Sequence, residues 1–120
     1  MLSLSDARRY FIYRDKTDMR KSFDGLCGLV RDRLHREPLS GEIFIFLSRR
    51  KNQIRLLLWE GDGFSLYSKR LEKGTFELPA SSLLSMELKC EQLLFILKGI
   101  KLSSVEKRKR FSFSEKKIVE

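Results

Sequence analysis

A chain of 120 residues, 42% apolar and 34% charged, can bury one hydrophobic core but hardly two. It nowhere holds the roughly 18 to 20 consecutive apolar residues of a membrane span, which predicts no membrane partner. Twenty-five Lys and Arg against 16 Asp and Glu leave a net charge of +9, which suits a polyanion such as nucleic acid and equally suits a small basic protein that merely solvates its surface.

The start, Met1 to Asp6, lacks a basic stretch followed by an apolar one, so a cytoplasmic protein is expected. Cys27 and Cys90 are too few and too far apart for a disulfide scaffold, and reduced, buried thiols are expected. Seven bases and three acids fall in residues 101–120, so the body and the tail are both basic.

In chain order, residues 8–13, with Tyr10, Phe11, Ile12 and Tyr13, read as a short strand ended by Arg14, Asp15 and Lys16. Met19, Phe23, Leu26, Cys27, Val30 and Leu34 then recur at steps of three and four, predicting a helix over 18–35 with Thr17 or Asp18 at its cap. Gly25 and Gly28 each cost this helix about 1 kcal/mol relative to Ala, and close backbone approach to a sheet would explain them. Three runs follow, 42–48, 53–60 and 64–70, spaced as an antiparallel meander. Both alternating sets of the first, Ile43/Ile45/Leu47 and Phe44/Phe46, are apolar, as in a central strand covered on both faces. Residues 74–78, before Pro79, are expected as an edge strand. A serine-rich connector with Ser81, Ser82 and Ser85 leads to a helix near 88–98 that Gly99 stops. From Ser103 the chain is polar and basic without periodicity, predicting a flexible tail over 103–120 beside a single domain over 1–102. The fold class expected is α+β, an antiparallel sheet of three to five strands packed against helix 18–35.

The run Thr17-Asp18-Met19-Arg20-Lys21-Ser22-Phe23-Asp24-Gly25-Leu26 resembles the signature of TnpB, the small second-reading-frame accessory protein of insertion-sequence sixty-six type elements. Phe46-x-x-Arg49-Arg50, Leu56-x-x-Trp59, Gly61-x-Gly63 and Lys69-Arg70-Leu71-Glu72-Lys73-Gly74-x-Phe76 are similar to that family's second block, and Glu91-Gln92-Leu93 with Gly99-Ile100 to a weaker third. The likeness spans residues 6–101. The family usually carries an aromatic before proline where this chain has Leu78-Pro79, and the tail from Ser103 lies outside the likeness. A chain of 120 residues is far too small for the RNA-guided nuclease that shares the short name. The resemblance implies an accessory protein of DNA transposition without a chemistry of its own. It would work with the element's transposase, a second accessory protein and DNA, with no cofactor and no small-molecule substrate.

The hairpin between the first two meander strands carries Arg49, Arg50, Lys51 and Arg55, whose forks and point charges match phosphate oxygens. A solvated, edge-protecting turn is the plainer alternative. Lys69 and Arg70 end the third meander strand and extend this surface if they share its face. Lys107, Arg108, Lys109 and Arg110, next to Phe111 and Phe113, could track phosphates and stack on a base, or only aid solubility. In the signature, Arg20 and Asp24 are four apart, so an intrahelical pair is the plainer reading; the functional alternative is that Asp18 caps and orients the helix start while Arg20 and Lys21 face a partner.

Metal-dependent DNA processing is the rival class and needs converging carboxylates. Asp24, Glu60, Asp62 and Glu72 are the candidates, but their spacing does not force convergence. With His35 the single histidine, neither a zinc site nor a nucleophile with its base is expected, and the chain is read as no enzyme. A third possibility is an adaptor that binds only proteins. Trp59, Phe44, Phe46, Phe64 and Tyr67 fit a core better than a stacking platform; Tyr10 and Tyr13 fit either.

Overall fold

The structure, a computed structural model, describes residues 4–99. Five strands, β1 (Tyr10–Lys16), β2 (Ile43–Leu47), β3 (Gln53–Trp59), β4 (Phe64–Arg70) and β5 (Ser85–Leu88), form one sheet in the order β4-β3-β2-β1-β5. Helices α1 (Phe23–Asp32) and α2 (Cys90–Lys98) complete it, with a short 3-10 turn at Pro38–Ser40. The fold is α+β, and the meander β2-β3-β4 is antiparallel as expected.

β1 joins it beside β2 but in parallel, with Tyr10 opposite Ile43 and Tyr13 opposite Phe46. A parallel neighbour needs a crossover, and α1 supplies it. β2 thereby becomes the central strand, with all five residues buried. Its two side-chain sets feed separate cores. Phe44 and Phe46 meet Phe11, Tyr13, Leu57 and the α1 residues Leu26, Cys27 and Val30. Ile43, Ile45 and Leu47 meet Tyr10, Ile12, Leu56, Phe76 and the α2 residues Leu93 and Ile96. Tyr10 and Tyr13 are therefore core residues, and Cys27 and Cys90 are buried free thiols.

Three expectations are corrected. Helix α1 is shorter than 18–35. At its front Asp18 accepts from the Arg20 amide at 2.9 Å and Lys21 N–H donates to Asp18 O at 3.1 Å, so 18–21 is a turn and Ser22 takes the cap position. At its back Leu34 N–H returns to Leu29 O and His35 adopts a left-handed φ of 54°, yet Leu34 stays buried. The side-chain period outlasts the helix because the chain folds back over the same core.

Secondly, no sheet contact explains the glycines. Among the described residues, a Cβ on Gly25 would meet only the Lys21 side chain, at 3.3 Å, and one on Gly28 would meet nothing within 4 Å.

Thirdly, residues 74–78 form no strand. Leu71 N–H donates to Asn52 O and Phe76 N–H to Lys51 O, while Gly74, at φ 78°, turns the chain so that Phe76 caps the α2-side core. The fifth strand is Ser85–Leu88, antiparallel to β1, where a connector was expected. Only Met86 and Leu88 of its four residues join the core side, too few to register as an alternation. Helix α2 then begins at Cys90, its first turn secured by Gln92 Oε1 accepting from Lys89 N–H at 2.8 Å. The tail over 103–120 lies outside the described residues.

Candidate nucleic-acid interface

The sheet has two chemically different ends. At one lie the starts of β1 and β2 and the end of β5. Arg9 makes a two-pronged bond to Glu87 at 2.9 and 2.8 Å, and Arg36 does the same with Glu42 at 2.9 and 2.7 Å. Both guanidiniums sit over the Phe11 ring, Arg36 at 3.8 Å and Arg9 at 5.0 Å from its centroid. The Arg36 fork holds the largely buried Glu42 carboxyl below the usual carboxylate range, opposed by burial. A depressed carboxylate contributes stability above its unfolded-state pKa and loses it as pH falls through the folded value. Thermal or urea unfolding from pH 7 to pH 2 should therefore show a decline that starts below about pH 5. Glu42→Gln should cost about 1–2 kcal/mol at pH 7 and flatten that decline. An unchanged acid limb would show that the pair does not control it.

At the opposite end Arg20 pairs with Asp18, while the hairpin cations Arg49, Arg50 and Lys51 enter no ion pair among the described residues. Lys51 N–H donates to Ser48 O and Ser48 N–H to Gln53 O, both at 2.9 Å, closing a tight turn with Lys51 at φ 58°. The bonds to the segment 71–76 brace this hairpin from behind, so its backbone is committed while Arg49, Arg50 and Lys51 are exposed. Thr17 N–H donates to Leu47 O at 2.8 Å, which brings Lys16 and the turn holding Arg20 and Lys21 to the same end. Arg55, opposite Phe46 and Ser68, reaches that turn and donates from Nη1 to Lys21 O at 3.3 Å. Its Nε is buried and has no hydrogen-bond partner among the described residues. Arg70, opposite Gln53, lies on the same face and is exposed.

Lys69 points to the other face. Its Nζ donates to Leu97 O at 2.7 Å, at the negative C-terminal end of α2. The structure thus brings Arg49, Arg50, Lys51, Arg55 and Arg70 to one end and removes Lys69 to a helix terminus; Lys107, Arg108, Lys109 and Arg110 lie outside the described residues. Lys16, which sequence reasoning missed, joins them only through the parallel register of β1. Among the described residues the ion pairs use Arg9, Arg20, Arg31 and Arg36, and none of the three tip cations.

Within the signature Arg20 pairs with Asp18 at 2.8 Å rather than with Asp24, and its guanidinium holds the exposed Asp18 carboxyl down to about 2. The carboxylates weighed for metal chemistry are dispersed. Asp24 is in the first turn of α1, Glu60 accepts from Ser65 Oγ and, with Asp62, sits in the β3-β4 turn, and Glu72 follows β4 at the other end. Among the described residues no group of three or more His, Cys, Asp or Glu could hold a metal ion, and no helix is long and apolar enough to cross a membrane. Phe44 and Phe46 are core, whereas Trp59 and Phe64 are half-buried and Tyr67 is exposed.

The chain matches the family model described as IS66 Orf2 like protein over residues 8–107, which carries the likeness past residue 102 into the start of the basic tail. It is 28% identical over 108 residues to the uncharacterized protein y4jC of Sinorhizobium fredii (strain NBRC 101917 / NGR234), covering 90% of this chain and 92% of the relative. It is 32% identical over 100 residues to the uncharacterized protein y4hO of the same strain, covering 83% and 87%. No solved structure matches it.

Proposed function

We propose that this chain, which belongs to the IS66 Orf2-like family, serves transposition as a non-catalytic DNA-binding factor that holds phosphates at the hairpin end of its sheet. The observation that carries this reading is the separation of charge. Glu42 and Glu87 neutralise arginines at one end, while the braced tip at the other offers Arg49, Arg50 and Lys51 to solvent with no acidic partner among the described residues. Cations left unpaired on a rigid backbone can exchange water and counterions for phosphate oxygens with little ordering cost.

A second reading, an adaptor for the element's transposase, draws on Leu83 and Leu84, 65% and 57% exposed just ahead of the edge strand β5. The two separate in one experiment: titrate a DNA duplex into the full chain at 50 and 200 mM salt, and pull the chain down with its transposase after nuclease treatment. A DNA factor should lose at least about tenfold in affinity over that salt range. Negligible duplex affinity at the lower salt, with nuclease-resistant capture of the transposase, would overturn the DNA reading in favour of the adaptor.

A further inference from the structure

Helix α1 packs on Phe11, Tyr13, Phe44, Phe46 and Leu57, and on the same face Trp59, Phe64 and Leu66 are half-buried while Ser68 and Arg70 are exposed. Along that face the register sets Gln53 against Arg70, Arg55 against Ser68, Leu57 against Leu66 and Trp59 against Phe64. Phe23, first residue of α1 and 41% exposed, stacks on Phe64 at 6.0 Å with planes 22° apart. Trp59 meets Phe64 edge-on at 5.0 Å. Three rings thus line one end of an open sheet face, and Arg55, Lys21 and Arg70 lie toward its other end. The six steps from Phe64 to Arg70 span about 20 Å of strand. Glu60, which follows Trp59, alternates to the far face and accepts from Ser65, so its charge is kept off the rings. Phe23 lies outside the buried core and leaves much of its ring exposed; with cations farther along the same face, it suits an extended ligand that carries both flat apolar groups and negative charge.

We propose that this face binds single-stranded DNA, unpaired bases stacking on Phe23 and the neighbouring rings while Lys21, Arg55 and Arg70 take phosphates. The inference rests on the DNA-binding reading and narrows it. A duplex hides the faces of its bases inside its own stack, so only an unpaired strand can use a ring platform. Charge complementarity selects a nucleic acid over an apolar protein segment as the occupant.

Trp59 is the single tryptophan, so stacking can be read from its fluorescence. The full chain is titrated with a 12-nucleotide oligothymidylate and with a duplex of equal length. The expected result is quenching by the oligothymidylate, tighter binding of it than of the duplex, and at least about fivefold weaker oligothymidylate binding by Phe23→Ala with duplex binding unchanged. Phe23→Tyr, which keeps a ring, should restore the affinity, and circular dichroism verifies that both variants fold. Equal or tighter binding of the duplex, or a Phe23→Ala variant that binds the oligothymidylate normally, overturns the proposal. So does a change in oligomeric state on Phe23→Ala, which would identify a second copy as the occupant. If the duplex binds without a single-strand preference and depends on Arg49, Arg50 and Lys51, this proposal alone falls. If neither probe binds at 50 mM salt, the DNA-binding reading falls with it.

Discussion

Phe44→Ala should lower the unfolding free energy by about 3–5 kcal/mol, a large fraction of the roughly 5–15 kcal/mol typical of a domain. Phe44 is fully buried at the middle of the central strand, paired with Phe11 in register and stacked on its ring at 6.2 Å. Helix α1 closes over it through Leu26 and Val30. The strands on either side are held by hydrogen bonds, so the site cannot collapse around a missing ring, and a cavity adds to the lost transfer free energy. Urea unfolding followed by circular dichroism checks this. Phe23→Ala, at an exposed site, should move the midpoint little. A Phe44 variant of near wild-type stability would mean that the α1-side layer repacks freely and is not the rigid core described.

Replacing Arg49, Arg50 and Lys51 together with Gln should weaken duplex binding on the order of a hundredfold at about 0.1 M salt, and lower the slope of log affinity against log salt by about three. The slope change separates phosphate contact from a merely misfolded tip. The fold should survive, because the turn is closed by backbone bonds at Ser48, Lys51 and Gln53 and exposed substitutions usually cost under about 0.5 kcal/mol each. Gln at position 51 meets the same positive φ as Lys and adds no new strain. Lys69→Gln is the control, since its ammonium is engaged by Leu97 O and should leave the salt slope unaltered. An unchanged slope in the triple variant would remove the tip from the binding surface.

The meander was legible because each of its pairings is local. Short connections with alternating apolar residues define β2, β3 and β4 within a few residues of their observed bounds, and the doubly apolar pattern of 42–48 announces a strand covered on both sides. The same locality makes Arg49, Arg50 and Lys51 readable as a hairpin tip. Helix α1 was legible in its period and not in its ends. Side-chain spacing reports which residues face the core, and Leu34 still does so after the helix has stopped.

The amino-acid pattern alone therefore determined an α+β domain around a buried central strand, two buried cysteines, a basic hairpin and a family signature at 17–26. Tertiary structure decided what depends on residues far apart in the chain. β1 runs parallel to β2 because α1 returns the chain to the same edge, and that register carries Lys16 and Lys21 to the hairpin end. β5 is a strand because β1 offers it a partner more than 70 residues away; its four residues have no periodicity of their own. Lys69 and Arg70 are adjacent in sequence and opposite in placement, since a pleated strand sends neighbours to opposite faces and the position of α2 supplies a carbonyl for Lys69. Periodicity and turn chemistry act over a few residues, whereas register, crossover and charge grouping arise from contacts that form only when the whole sheet closes.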